Sequence, residues 1–192
     1  MRICIFSGSS NGISPEYRIA AAGLGRLLAR NSVELVYGGA AVGLMGTTAD
    51  AALAEGGRVT GVIPQALVDK EVAHPGLTDL RIVKSMHERK SLMANLSDGF
   101  IALPGGIGTF EELFEIWTWA QLGSHSKPCA LLNVLGFYDR LLEFLDQITE
   151  QGFLKTAHRE MLLVDEDPKS LLRAMAQYRA PVENKWIEPA AT

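Results

Sequence analysis

Cysteine and histidine are scarce in this chain, with two of the first and four of the second. Cys4 and Cys129 lie inside separate apolar runs without metal-ligand spacing. That excludes a disulfide framework or a zinc cluster and points to buried thiols in a reducing compartment. His74, His125 and His158 are scattered, and "HERK" (87–90) lacks the second histidine of a zinc-protease helix, so no metal is expected. Positive charge is also in short supply. Lys and Arg number 18 against 22 Asp and Glu, for a net charge of −4, so nothing draws the chain to nucleic acid and a phosphate must be met locally. Long apolar runs are missing too. None approaches the roughly 20 residues of a membrane span, and the N-terminal "ICIF" is shorter than a secretory hydrophobic region. A cytoplasmic protein with no membrane partner is expected.

What is present is an ordinary globular composition, 192 residues of which 47% are apolar, enough for one core. One nucleotide-binding domain is expected over 1–180, with a tail or arm over 181–192. Short Val- and Ile-rich runs predict strands at 3–6, 34–37, 58–63, 80–83, 99–103 and 128–133. They are too apolar for one-sided sheets, as expected of parallel strands covered on both faces. Amphipathic patterns predict helices near 16–30, 43–55, 86–96, 109–122 and 137–151, and shorter ones near 156–161 and 168–178. Ser14-Pro15 opens the first helix and Gly56-Gly57 closes the second. This alternation predicts an α/β fold, a doubly wound parallel sheet in three α/β/α layers. The stretch 64–79 is long for a connection and is a candidate lid or site loop.

Three strand ends open into small or glycine-rich turns: "SGSSNG" (7–12), "GGAAVGLMG" (38–46) and "PGGIGT" (104–109). One such turn is weak evidence, since glycine often serves only the turn. Three on one predicted sheet edge could line a crevice with backbone N–H groups, and Gly8 and Ser9 would belong to it. "GSSNG" matches a nucleophile elbow, but no acid and histidine follow it in the usual order. No lysine completes a P-loop, and no G-x-G-x-x-G marks a dinucleotide site.

Two charged residues stand out. Thr109-Phe110-Glu111-Glu112 reads as a capping box, with Thr109 as N-cap and Glu112 returning to its amide. On the same helix Phe110, Leu113, Phe114 and Trp117 form a core stripe, while Glu112 shares its side with Ile116 and Trp119. A helix apolar on two sides suits burial by its own sheet and by another subunit, and a carboxylate at its head would be desolvated and fit for proton transfer. Arg89 falls on the stripe of Met86, Met93 and Leu96, facing the crevice or else a structural acid. Lys90 beside it reads as solvated, though within reach of a phosphate. A cradle for phosphate next to a carboxylate suits a nucleoside monophosphate whose N-glycosidic bond is cut, since the developing oxocarbenium ion needs a nearby negative charge.

"SMHERK" (85–90), "PGGIGTFEE" (104–112) and "TWAQLG" (118–123), with "FSGSS", "VYGG" and "ALLNV", resemble the LONELY GUY family of cytokinin riboside 5′-monophosphate phosphoribohydrolases. The resemblance implies a Rossmann-like fold and a homodimer with sites near its interface. It also implies hydrolysis of a nucleoside 5′-monophosphate to free base and ribose 5-phosphate without a cofactor. It places the catalytic pair at Arg89 and Glu112, and phosphate and ribose along Gly106, Ile107, Gly108, Thr109, Phe110 and Glu111. Lys90, Thr118 and Glu71 fall on substrate-contacting positions. Members are often labelled lysine decarboxylases, but no lysine here is set up to hold pyridoxal phosphate. Where many relatives have a third glycine after "YGG", this chain has Ala40. The alternatives are a general purine or pyrimidine monophosphate nucleosidase, and a non-catalytic nucleotide or cofactor carrier on the same fold.

Overall fold

The computed structural model describes residues 1–70 and 73–181. Strand and helix alternate as β1 (Arg2–Phe6), α1 (Pro15–Arg30), β2 (Glu34–Tyr37), α2 (Gly43–Ala54), β3 (Val59–Pro64), α3 (Gln65–Val68), β4 (Asp79–Val83) and α4 (Met86–Leu96). They continue as β5 (Gly99–Ala102), α5 (Ile107–Gln121), β6 (Cys129–Leu132), α6 (Asp139–Glu150), α7 (Thr156–Arg159), β7 (Leu162–Asp165) and α8 (Pro168–Gln177). Among the described residues the strands form one sheet in the order β4-β3-β2-β1-β5-β6-β7, every pair parallel. The chain winds outward from β1 in one direction, then restarts from β5 on its other side. The β1/β5 boundary is therefore the switch point, where loops diverge and leave a crevice at the carboxyl edge.

Side chains alternate across each strand, so the buried strands feed two cores. On one face Cys4, Val36, Phe100 and Leu131 pack with Met93 of α4, Leu113 and Trp117 of α5 and Leu145 of α6. On the other, Ile5, Leu35, Ile101 and Leu132 pack with Leu24 of α1, Ala49 of α2 and Leu171 of α8. This is the doubly wound α/β/α arrangement that the alternation predicts. Both cysteines are free and buried. Burial alone pushes the Cys129 thiol up to about 12, which keeps it an inert core group.

Two elements differ from the reading of the sequence. β7 is an edge strand, and only Leu162 in it is well buried, so it lacks the all-apolar run that marks the inner strands. The stretch 64–79 is not an open loop. It contains α3 and an antiparallel bridge between Ala73 and Ala40. The tail over 181–192 falls, from residue 182 on, outside the described residues. Among the described residues no helix is long and apolar enough to cross a membrane.

Candidate active site

The three glycine turns meet at the carboxyl edge beside the switch point. The Gly8 N–H donates to Pro104 O at 3.1 Å, and the Leu44 N–H donates to Gly8 O at 3.0 Å. The contacts are closer than side chains allow. A Cβ on Gly105 would lie 2.1 Å from Thr109 Oγ1, and one on Gly43, whose φ is +60°, would lie 2.3 Å from the Ser9 carbonyl carbon. Glycine is needed at these two positions because backbone packs on backbone.

α5 begins one turn earlier than the capping-box reading places it. Its N-cap is Gly106, with no acidic side chain in the first turn. Thr109 therefore lies within that turn, 4% exposed and packed beneath Gly105. Glu112 does not reach back to an amide, because its carboxylate faces α4. Gly106 and Gly108 open onto free space and Ile107 is 85% exposed. Thr109 and Phe110 donate their amides to Gly106 O, so Gly106, Ile107 and Gly108 are the positions that offer amides to the crevice, with no carboxylate in that turn, the usual surroundings of a bound phosphate. Gly8, Ser9, Gly105 and Gly106 also line a cleft of about 210 Å³, walled by Tyr17 and Phe137.

Arg89 and Glu112 form the charged centre. Ser85 caps α4 by accepting from the Glu88 N–H, and this start aims Arg89 inward under the sheet edge. Its Nε donates to Val62 O at 3.1 Å and its Nη1 to Glu112 Oε1 at 2.9 Å. The two side chains are only 10% and 11% exposed. Burial raises the Glu112 pKa above the ordinary glutamate range; the Arg89 charge opposes that shift and the neighbouring Glu111 carboxylate adds to it.

Lys90 is not solvated. It is 10% exposed, lies 2.9 Å from Glu115 and bonds to Glu111. Burial pulls its pKa down, but the two carboxylates outweigh that and leave it raised. Glu115 went unnoticed in the sequence, although two carboxylates four residues apart on one helix face a common partner naturally. Tyr138 was also missed. Its hydroxyl donates to Leu103 O at 2.7 Å, steadying the chain as it enters the third turn. The predicted core stripe needs correcting at Phe114, which is 36% exposed; Ile116, at 3%, takes the inner position instead. Thr118 is exposed on the outer face of α5, away from Glu112, so one chain alone does not bring the two together. Glu71 lies outside the described residues.

A family model described as "possible lysine decarboxylase" matches residues 45–175. A probable cytokinin riboside 5′-monophosphate phosphoribohydrolase of Oryza sativa subsp. japonica is 49% identical over 92% of this chain and 78% of its own length. The enzyme of that name from Rhodococcoides fascians is 48% identical over 93% of this chain and 89% of its own. Among solved structures, the molybdenum cofactor binding protein of Rippkaea orientalis matches with a TM-score of 0.69, covering 92% of this chain and 95% of that one. At 18% identity that likeness concerns the fold alone. By the family match and by relatives that are nearly half identical over nine-tenths of its length, the chain belongs to the LONELY GUY family.

Proposed function

We propose that this protein is a phosphoribohydrolase that uses water to cleave the N-glycosidic bond of cytokinin-type nucleoside 5′-monophosphates, releasing the free base and ribose 5-phosphate. The observation that carries the reading is a buried Arg89–Glu112 pair next to the bare amino end of α5. The 5′-phosphate binds the amides of Gly106, Ile107 and Gly108 and the turn at Gly8 and Ser9, where Thr109 holds the cradle's shape from below. That orientation carries C1′ of the ribose toward Glu112.

As the C1′–N bond breaks, its electron pair leaves with the base, which takes up a proton from solvent, matched by the one that Glu112 later returns to solvent. The positive charge left on the sugar is met by the Glu112 carboxylate in a site of low dielectric. Water then adds to C1′ and gives a proton to Glu112. Arg89 opposes the rise in pKa that burial gives Glu112 and holds the carboxylate in one orientation. Lys90 is clamped by two carboxylates, so it is a charged group at the edge of the site. A lysine held protonated in this way is a poor amine for a Schiff base, which argues against decarboxylase chemistry. On the same reading the protein is a cytoplasmic homodimer whose α5 helices face each other through Phe114. A partner's Thr118 would then complete the site, and Glu71 would close it from the 64–79 stretch.

The test is to incubate the protein separately with N6-isopentenyl-AMP and with AMP and to follow free base and ribose 5-phosphate by chromatography. Strong preference for the prenylated nucleotide supports the reading. Equal release from both makes the protein a general nucleotide nucleosidase, and binding without release makes it a carrier.

A further inference from the structure

The stretch that follows β3 ends as a strap, residues 73–78, running from the turn at the carboxyl end of β2 back along β3 to its amino end. Ala73 bridges Ala40 in the second glycine turn, and the His74 N–H donates to Gly39 O at 2.9 Å. Further along, Leu77 occupies the space above Gly61, where a Cβ would meet it at 2.4 Å, and Thr78 Oγ1 accepts from the Val59 N–H at 3.1 Å. The His74 ring ties the glycine-turn end of the strap to a helix. It is 8% exposed, with Nε2 at 2.9 Å from Asp50 Oδ1 on α2. Its Nδ1 accepts from the Gly76 N–H at 3.1 Å, so the neutral ring carries its proton on Nε2 and donates it to Asp50.

The turn under this strap is the backstop of the candidate catalytic arginine. A Cβ on Gly38 would fall 2.0 Å from Arg89 Nη2 and 3.2 Å from its Cζ. The guanidinium is therefore fixed by three surfaces: Val62 O, the Glu112 carboxylate and the bare backbone of Gly38. The first two belong to a strand and a long helix. The third belongs to a turn whose next two residues, Gly39 and Ala40, are held from outside by the strap.

We infer that His74 is a positioning residue: anchored on Asp50, it presses the strap onto Gly39 and Ala40 and so fixes the backbone against which the Arg89 guanidinium rests. The inference rests on the proposed function for its kinetic consequences, though not for its structural ones. Asp50 is 72% exposed and contributes nothing to either core, so the pair can be broken from the surface without emptying the interior. The strap's bonds reach Gly39, Ala40, Val59 and Asp50, none of which is on α5. Loosening the strap should therefore slow the chemical step more than it weakens substrate binding.

The test compares Asp50→Ala, Asp50→Asn and His74→Ala with the unmodified protein. Base release from N6-isopentenyl-AMP is measured alongside hydrogen exchange of the His74 amide and the NMR signal of the Arg89 Nε–H. Asp50→Ala should lower kcat about tenfold with KM little changed, as expected for a small misplacement near reacting atoms. Asp50→Asn keeps an acceptor for the Nε2 proton and should restore most of that loss. The Asp50→Ala/His74→Ala double variant should be no slower than the worse single one, since both break one interaction. Faster exchange at His74 and a shifted Arg89 signal should accompany the loss. Unchanged kcat in Asp50→Ala, or an Arg89 signal that does not respond to it, overturns the inference. Should the unmodified protein release no base, the proposed function fails, and the exchange and Arg89 signals alone decide the strap's role.

Discussion

The two edges of the parallel sheet both carry hollows, and they differ in what lines them. At the amino edge a cleft of about 430 Å³ is bordered by Arg2, Glu34 and Arg58. It is twice the volume of the aromatic-walled cleft at the carboxyl edge, about 210 Å³. Yet its arginine side chains are 49% and 68% exposed, and the Arg58–Glu34 pair is 3.9 Å apart. At the carboxyl edge Arg89 and Glu112 are almost withdrawn from water and held at 2.9 Å. Charge in water is weak and screened, whereas charge held in a dry site is strong and costly to keep. The difference teaches that a site of this kind is marked by buried charge beside bare amides, and that the size of a hollow is a poor guide.

This contrast can be broken or sharpened by substitution. Glu112→Gln should lower turnover by about 10²–10⁴-fold, the usual range for a removed proton-transfer group, while nucleotide still binds; stopped assays with equilibrium dialysis read both. Arg89→Ala leaves the Glu112 charge buried and unpaired, so it should cost about 3–5 kcal/mol of stability as well as activity. Denaturant unfolding measures the first of these. Gly105→Ala forces a methyl against Thr109 and Gly8 and should cost about 1–3 kcal/mol as an overpacked contact, with weaker phosphate binding. Arg58→Ala at the other edge should change stability by no more than about 0.5 kcal/mol and leave turnover alone.

Glu112 also predicts a pH dependence. Its raised pKa means that the folded protein holds a proton which the unfolded chain has already lost. Between the two values, stability falls as pH rises, and it reaches its lower level once the folded carboxyl ionises. On the proposed mechanism activity runs the other way, since the carboxylate is the form that meets the sugar's charge. Carbon NMR of labelled Glu112 should therefore give a midpoint above the usual glutamate value of about 4.3. A direct reading is preferable to a rate profile, because a phosphomonoester itself titrates near ~6. Glu112→Gln should flatten the stability slope.

Much of this architecture is legible in the residues. The inner strands announce themselves because burial on both faces demands an unbroken apolar run, as in Leu35, Val36 and Tyr37. β7 does not, because an edge strand can leave Val164 at 37% exposure. Arg89 could be placed on an inward face from helix periodicity alone, but its partner could not, since 23 residues separate it from Glu112. The capping-box reading failed for a related reason. T-x-x-E is a local pattern, and a long-range ion pair together with the Gly106 N-cap outweighs it. The stretch 64–79 could be singled out by its length, but not its attachment, because Ala73 and His74 bond to Ala40 and Gly39, contacts that no local pattern encodes.

On the proposed mechanism Glu112, held by Arg89 near the amino end of α5, carries out the cleavage. The most direct test measures free base released from N6-isopentenyl-AMP by the unmodified protein and by Glu112→Gln at saturating nucleotide, with binding measured on the same samples. Release by the first, loss of nearly all release by the second, and similar affinity in both are expected. Equal release by the two proteins would contradict it, and Glu112 would then be no more than the structural counter-ion of Arg89.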